Sequence, residues 1–529
     1  MSRGRGSGSA ACSPILRWRS PVWCTPRSGG PTTICGSSPT YRCTPRCWPP
    51  WLAGPDDRSG SPAPLPKVGG RAVTTSIQDV PIAPRRVPVL GHTLSLGRDP
   101  LGFLQSLRSR GDVVAFYLGT RPVCQVNSPD LIRRVLVTDA HRFSRGAVFA
   151  KARQLLGDGL ATADEPSHMR QRRVMQPAFH ADRVAGYVEV MREEIAEVVA
   201  GWRPGRPVQV DREMARLTLM VTTKALFRAE LGQAAVAEVR RSLSPVLNGI
   251  TKRSMLPGEL LERVPTPCNR RFEAALHRLT TVVDGVVDAY RASGADHGDL
   301  LSMLVTARDV EPDADGAAGP AAPAMSDAEV RTQVMNILMA GTETTATALS
   351  WVFHELARHP EAERRVHEEV DTVLAGRPVT TSDLARLPYV DRVLTEAIRL
   401  HTPVWLLMRR AVEEVRLGDV TIRPGTELLI SLPTLHRDPD LFPDPMRFDP
   451  DRWLAPEAKD WGRARFIPFG AGGHKCIGDG FAWAELTTAV ATVCARWRLV
   501  PVPGRQVREV ARAFLRPNAL PMIPEPRIR

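Results

Sequence analysis

One cysteine lies in an unusual stretch of this sequence, PFGAGGHKCIGDGFAWAE at 468–485. Several glycines surround Cys476, and glycine lets a backbone adopt positive φ and pass close to a flat ligand. A helical pattern follows, and amide groups at a helix start stabilise a thiolate and lower its pKa. His474 is placed to face an anionic group. The pattern favours a metal-binding thiolate over the alternative, a core cysteine in a glycine-rich turn.

A second unusual stretch, AGTETT at 340–345, lies within a long helical pattern. Glycine and threonine are poor choices for a helix interior. Ala340 and Gly341 are small enough for a bulky group to press against the helix. The Thr344 hydroxyl can bond the carbonyl of Ala340 and open the helical ladder to dioxygen or water, and Glu343 offers a carboxylate for proton transfer. A threonine-rich face packed against neighbouring helices is the alternative.

Charged residues recur at helical spacing in two other places. Glu396 and Arg399 are spaced i, i+3 and share one helix face. His168 and Arg172 are spaced i, i+4, and Arg409 follows a proline-containing turn. Considered singly, such residues are most often solvated surface charges.

Together, these motifs resemble those of the cytochrome P-450 family. FGAGGHKCIG (469–478) is similar to the family's haem-binding signature, with histidine where arginine is usual, and AGTETT is similar to its oxygen-activation motif. The resemblance implies haem b with Cys476 as axial ligand to the iron, and proton delivery by Thr344 and Glu343. It also places the following residues against the haem: Phe469, Gly470, Gly478, Ala340 and Gly341.

The resemblance also assigns the charged residues. It implies that the haem propionates are bound by His168, Arg172, Arg409 and His474, with Arg410 as an alternative to Arg409. It gives Glu396 and Arg399 a structural role, completed by Arg447 in PMRF (445–448), in bracing the cysteine loop.

The elements that must position these residues are mostly helical. Ser326 and Glu329 have capping-box spacing and predict a helix that runs to about Arg358, before Pro360. Further helices are predicted at about 388–400 and after Cys476, and alternation over 411–431 predicts short strands. The expected fold class is mainly α with a small β region. The resemblance implies the P-450 fold, with the long helix over the haem and the cysteine loop beneath.

Residues 1–75 differ in composition from the rest of the 529-residue chain. They contain ten Lys and Arg against only Asp56 and Asp57, and so supply +8 of the net charge of +13. We expect a disordered extension or an over-extended translation start, although Arg- and Ser-rich composition is also typical of a transit peptide. Residues 76–529 are expected to form one haem-thiolate monooxygenase domain, with a mobile loop at 311–325.

The remaining composition excludes several classes of protein. Beyond residue 75 the basic excess is mild, so no nucleic-acid partner is indicated. The sequence contains no run of eighteen apolar residues, so no transmembrane anchor is predicted. Only four cysteines follow residue 75, which is typical of a soluble protein in a reducing cytoplasm.

The predicted function is a monooxygenase that inserts one oxygen atom of O2 into a C–H bond of a hydrophobic small molecule. No flavin or iron–sulfur segment is visible, so a ferredoxin and an NAD(P)H-dependent ferredoxin reductase are the expected electron donors. Arg463, Arg465 and Lys475 flank the cysteine loop and could dock an acidic partner, or could be ordinary surface charge.

Apolar candidates for the substrate pocket favour a hydrocarbon-like ligand. PVWLLMRRAV and PFGAGGHKCIGD also resemble actinobacterial members that oxidise sesquiterpenes, so a terpenoid is favoured over a fatty acid. A peroxygenase and a non-catalytic haem-based sensor are alternatives, and the Glu343–Thr344 pair argues against the first. The candidate pocket residues are Leu338, Met339, Val404, Trp405, Leu406, Phe514 and Leu515.

Overall fold

The computed structural model describes residues 80–228, 232–255, 264–293, 299–306, 310–312, 318–321, 325–461 and 465–527. The predicted extension at 1–75 lies outside these ranges. Much of the predicted loop at 311–325 also lies outside them. Two segments that belong largely to that loop, Val310–Pro312 and Ala318–Ala321, pair as short antiparallel strands.

Helices dominate the described residues, as the sequence predicts. None of these helices combines the length and apolar character needed to cross a membrane. The α-helices are α1 (Thr93–Arg98), α2 (Pro100–Leu107), α3 (Pro129–Arg133), α4 (Ala147–Leu156), α5 (Ser167–Met175), α6 (Ala181–Ala200), α7 (Val210–Phe227), α8 (Gln233–Met255), α9 (Pro267–Ser293), α10 (Leu300–Thr306), α11 (Asp327–Arg358), α12 (Pro360–Leu374), α13 (Thr381–Leu384), α14 (Pro388–Leu400), α15 (Leu432–His436), α16 (Ala458–Trp461) and α17 (Asp479–Cys494).

The small β region contains a mixed five-stranded sheet of order β1-β2-β10-β7-β3, in which β10 is parallel to β2 and antiparallel to β7. The strands are β1 (Val113–Leu118), β2 (Arg121–Val126), β3 (Phe143–Ser144), β4 (Val208–Gln209), β5 (Val310–Pro312), β6 (Ala318–Ala321), β7 (Leu406–Ala411), β8 (Val415–Leu417), β9 (Val420–Ile422), β10 (Glu427–Ser431), β11 (Trp497–Pro501), β12 (Glu509–Ala511), β13 (Leu515–Pro517) and β14 (Pro521–Pro526).

The long helix α11 confirms the prediction made from its cap. Ser326 Oγ accepts a hydrogen bond from the Glu329 amide, and the Glu329 carboxylate accepts one from the Ser326 amide. The helix continues for 32 residues and ends before Pro360, which starts α12. Much of α11 is buried in the main core cluster, and Thr342 and Thr345 of AGTETT are buried as well.

A wholly buried ion pair joins α14 to the segments that lead to the cysteine loop. Arg399 Nε and Nη2 donate to the two carboxylate oxygens of Glu396, at 2.9 and 2.8 Å. Arg399 Nη1 also donates to the backbone carbonyls of His436 and Pro445. The structural role predicted for Glu396 and Arg399 agrees with these contacts.

The third member of this cluster is not the residue that the sequence analysis selected. Arg447 is exposed and contributes only its backbone carbonyl, which accepts from Arg399 at 3.3 Å. Instead, Arg452 Nε donates to Glu396 at 2.9 Å, and the Trp453 indole donates to the other oxygen at 3.0 Å. The prediction of Arg447 was wrong because a 3-10 turn at Pro450–Leu454 returns the chain to α14 five residues later.

Replacement of Arg452 by alanine removes one of the two guanidinium partners of the buried Glu396 carboxylate, whose ion pair with Arg399 remains. We expect the free energy of unfolding to fall by about 2 kcal/mol, the usual cost of losing a hydrogen bond to a charged group. Arg447→Ala is the matched control and should change it by no more than about 0.5 kcal/mol. Urea denaturation followed by tryptophan fluorescence measures both values, and equal losses in the two variants would contradict the assignment.

Candidate active site

The cysteine loop reaches α17 through a tight backbone turn. The Cys476 amide donates to the Phe469 carbonyl at 2.9 Å, and Gly470 has φ of +73°. At Gly472, where φ is +71°, a Cβ atom would overlap the carbonyl oxygen of Leu136. Glycine is therefore required there both by the backbone conformation and by the close approach of another segment.

Flanking residues support this turn. The Phe469 ring packs edge-on against Trp483 of α17, with ring centroids 6.0 Å apart. Gly478 is the residue before α17 and lies close to the Phe179 ring. The loop is thus anchored on the helix that follows it.

The electrostatics of Cys476 differ from the sequence expectation. Part of the Cys476 side chain is exposed. Protein atoms enclose the rest of it, and this burial raises the pKa of the thiol to about 11. The Gly478 amide, Arg172 and Lys475 lower the pKa of Cys476, but by less than burial raises it. A bound metal ion removes the proton from a coordinating thiol.

The middle of α11 has the local geometry that the AGTETT motif predicts. Thr344 Oγ1 donates to the carbonyl of Ala340 at 2.7 Å. Ala340 is exposed although the seven residues before it are buried, so this side of the helix borders open space. On another side, a Cβ atom at Gly341 would lie 3.1 Å from Thr222 Oγ1 of α7. Small residues at these two positions therefore let both a ligand and α7 approach.

Glu343 points to a polar partner on another helix. Ser244 Oγ of α8 donates to Glu343 Oε1 at 3.0 Å. Burial raises the pKa of Glu343, while the Ser244 hydroxyl and the positive charge of Arg516 lower it by smaller amounts. The balance favours a carboxyl that holds a proton more tightly than an exposed glutamate does.

The structure brings the predicted propionate ligands together. The rings of His168 and His474 lie 4.0 Å apart, and His168 Nδ1 is 2.9 Å from Glu165 Oε1. Arg172 Nη1 donates to the carbonyl of Lys475, beside the cysteine, at 2.6 Å. His168 and Arg172, on α5, thus adjoin the cysteine loop.

Strand β7 decides between Arg409 and Arg410, because neighbouring residues on a strand point to opposite faces. Arg410 Nε donates to the Glu427 carboxylate at 2.5 Å, on the adjacent strand. Arg409 is buried, and burial lowers its pKa to about 10. The positive charge of Arg409 also lowers the pKa of His474. Arg409 therefore faces the cluster formed by His168, Arg172 and His474, as the sequence analysis preferred.

Arg145 is a member of this cluster that sequence reasoning missed. Burial lowers its pKa to about 9, and the like charge of Arg409 adds to the effect. Its Nη1 donates to the Leu160 carbonyl, but its Nε is buried without a hydrogen-bond partner in the described structure. No motif or helical spacing links Arg145 to His168 or Arg172, because tertiary folding alone places it there.

This arrangement of donors fits a haem. The buried atoms Arg145 Nε and His474 Nδ1 have no partner among the described residues, and burial with neighbouring cations lowers the pKa of His474 to about 2. An anionic ligand would satisfy such donors, and a haem carries two propionates. The porphyrin would lie between the cysteine loop and the small residues of α11, with Cys476 as the iron ligand.

Of the candidate pocket residues, four belong to the protein core. Leu338 and Met339 are buried in the main core cluster, and Trp405 and Leu515 are buried in a separate cluster. The other three, Val404, Leu406 and Phe514, are only partly buried.

The fold and the donor set define a protein of the haem-thiolate class. The family model for cytochrome P450 matches residues 81–524, and the chain belongs to this family, which carries haem b. The haem domain of cytochrome P450DA has a similar solved structure, with a TM-score of 0.74 and 28% identity over 85% of this chain and 98% of that one.

Curated relatives cover nearly the same length. Cyclooctat-9-en-7-ol 5-monooxygenase of Streptomyces melanosporofaciens is 44% identical over 84% of this chain and 95% of its own. Pentalenene oxygenase of Streptomyces avermitilis is 38% identical over 82% of this chain and 94% of its own.

Loss of Arg409 should weaken haem retention, because a buried cation that faces a propionate contributes a charge-assisted hydrogen bond. We expect Arg409→Met to release haem to apomyoglobin about tenfold faster than the unmodified protein. Arg410→Met, which removes the neighbouring guanidinium paired with Glu427, is the control and should stay within about twofold. Faster release from the Arg410 variant than from the Arg409 variant would reverse the assignment.

Proposed function

We propose that the protein is a monooxygenase that inserts one oxygen atom of O2 into a C–H bond of a terpenoid. The observation that carries this proposal is the acid–alcohol pair Glu343–Thr344 on α11, in a chain that supplies a cysteine thiolate for haem. An oxygen carrier or a haem-based sensor needs no proton donor beside the ligand. A peroxygenase receives its oxygen already reduced and also has no need of the pair.

The residues of the site would divide the work as follows. Cys476 would hold the iron, and the buried cations around His474 would hold the propionates and fix the orientation of the ring. When bound, the haem supplies the oxygen-activating chemistry, which thiolate ligation favours. Ala340 would leave space for dioxygen beside α11. Gly341, which the sequence analysis also places against the haem, instead faces Thr222 of α7.

Proton delivery would fall to Glu343 and Thr344. Because burial raises the pKa of Glu343, its carboxyl can hold a proton in the interior and release it to a neighbouring acceptor. The Thr344 hydroxyl uses its hydrogen in the bond to Ala340, so its oxygen can still accept a hydrogen bond. A hydroxyl in this position can pass a proton inward and keep water ordered.

A terpenoid substrate is supported by both the relatives and the pocket. Two relatives that match most of the chain are named for a cyclooctatenol and for pentalenene. Val404, Leu406 and Phe514 offer apolar, partly buried surface and no charge. Fatty-acid hydroxylation is the second candidate, because apolar surface also suits an acyl chain.

Electrons would come from a ferredoxin and an NAD(P)H-dependent reductase. Arg465 and Lys475 are exposed beside the cysteine loop, where a small acidic protein could dock, and Lys475 also pairs with Asp479 at 2.6 Å. Arg463 lies outside the described residues. We place the reaction in the cytoplasm, where these carriers and reduced cysteines are found.

A substrate screen tests the proposal. The haem-loaded protein is titrated with cyclic terpene alcohols, terpene hydrocarbons and fatty acids, and displacement of water from the iron is followed by absorption. Compounds that give a shift are then incubated with NADPH, a surrogate ferredoxin and its reductase. Hydroxylated terpenoids are the expected products. Turnover of fatty acids alone, or of no compound in either class, would reject the terpenoid assignment.

Replacement of Thr344 by alanine or of Glu343 by glutamine should uncouple the enzyme, because proton delivery fails while electron supply continues. We expect at least about tenfold less product per NADPH consumed, with hydrogen peroxide released instead. Thr347→Ser, a change on the same helix, is the control and should leave the ratio unchanged. Normal coupling in both active-site variants would remove Glu343 and Thr344 from the mechanism.

A further inference from the structure

Ser244 differs from the other hydroxyl residues of α8 because it donates to a different helix. Ser242 donates to the Glu238 carboxylate of its own helix. Thr251 and Ser254 donate back to carbonyls of their own helix four residues earlier. Ser244 instead donates across to Glu343 Oε1 on α11, at 3.0 Å. The hydroxyl of Ser244 is therefore committed to the acid of the oxygen-activation segment.

Arg516 completes a chain of three groups. It lies on β13, and its Nη1 donates to Ser244 Oγ at 3.2 Å. A guanidinium has only donors, so Ser244 accepts from Arg516 and its single hydrogen can go to the Glu343 carboxylate. When Glu343 is ionised, the chain therefore runs from Arg516 through Ser244 to Glu343.

The β12–β13 hairpin, which carries Arg516, is tied to the surrounding helices. The Leu515 carbonyl accepts from the Trp351 indole of α11 at 2.9 Å. The Ala513 amide donates to Asn248 Oδ1 of α8 at 3.2 Å, one helical turn beyond Ser244. Phe514, a candidate substrate contact, lies between these two attachment points. These attachments to α8 and α11 hold Arg516 in place beside Ser244.

We propose that Ser244 and Arg516 are positioning residues for Glu343, and that they connect the β12–β13 hairpin to the group that delivers protons. This inference rests on the proposed function of Glu343 and adds the groups that control it. When Arg516 lies against Ser244, the chain supports the carboxylate form of Glu343.

The charges around Glu343 make this control effective. Burial raises the pKa of Glu343, and the Ser244 hydroxyl and the Arg516 charge are the groups that lower it. Helix α7, which packs along α11, presents the uncharged Thr218 and Thr222 to this segment. Among the described residues that shift the pKa of Glu343, Arg516 is thus the charged one.

Coupling measurements test the proposal on the haem-loaded enzyme with a substrate that gives an absorption shift. Ser244→Ala and Arg516→Met should each form about fivefold less product per NADPH, the effect of losing one hydrogen bond. Their substrate affinity should stay within about twofold, close to the precision of such a titration. Arg516→Lys should restore most of the coupling, because an ammonium can also donate to Ser244.

Arg512→Met is the matched control. Arg512 is exposed on the same hairpin, so its loss changes the charge of the hairpin without touching the chain to Glu343. Coupling equal to that of the unmodified enzyme is expected. The proposal is overturned when Ser244→Ala and Arg516→Met both couple as well as this control.

A titration without turnover gives an independent readout. The infrared band of the protonated Glu343 carboxyl is assigned by its loss in Glu343→Gln and followed against pH. Ser244→Ala and Arg516→Met each remove a group that favours the carboxylate, so the midpoint should move to higher pH. An unchanged midpoint, or one at lower pH, contradicts the proposal.

A double variant separates this inference from the proposed function. Arg516→Met should reduce coupling no further once Glu343 is glutamine, because both act through one group; an additive loss would overturn the proposal. Normal coupling in Glu343→Gln alone would reject the proton-delivery function itself. A defect in Glu343→Gln with normal coupling in both outer variants would reject only the roles of Ser244 and Arg516.

Discussion

Buried positive charge beside the cysteine loop is the constraint on which this site depends. Arg145 and Arg409 are enclosed, and burial lowers the pKa of each guanidinium. Removing charged groups from water costs several kcal/mol per ion unless partners compensate. Asp164 and Glu165 supply part of that compensation, and two propionates would supply the rest. The cations and the thiol together thus specify a ligand with a metal centre and an anionic edge.

The scaffold brings these groups together from distant parts of the chain. Helix α5 contributes His168, strand β7 contributes Arg409, and the loop before α17 contributes His474. The segments that precede the cysteine loop are in turn held by the Glu396 carboxylate, which accepts from Arg399, Arg452 and Trp453 at once. A carboxylate with this many donors is held in one position, and the segments that carry the donors are held with it.

Much of this arrangement could be predicted because it depends on local rules. The cap at Ser326 and the hydroxyl of Thr344 form hydrogen bonds with residues three or four positions away in the sequence. The structure contains the expected helix and the expected bond from Thr344 to Ala340. The roles of the site residues in binding haem and moving protons stay predictions.

The errors and omissions concern groups that act across the fold. The chain passes α14 twice, so PMRF alone could not show that Arg452 rather than Arg447 reaches Glu396. Arg145 joins the cations through tertiary packing that leaves no local spacing. The sequence indicates the helix-start amides that lower the pKa of the Cys476 thiol. It does not show the larger, opposite effect of burial, which depends on neighbours from the whole fold.

The most direct test of the central claim is the absorption spectrum of the reduced, carbon-monoxide-bound protein. We expect the purified protein to show the strongly red-shifted Soret band of a haem with a thiolate ligand. Cys476→Ser, with every propionate-binding cation intact, should lose that band. A Cys476→Ser protein with the same band would show that the sulfur atom is not the ligand, and would contradict haem-thiolate ligation at this loop.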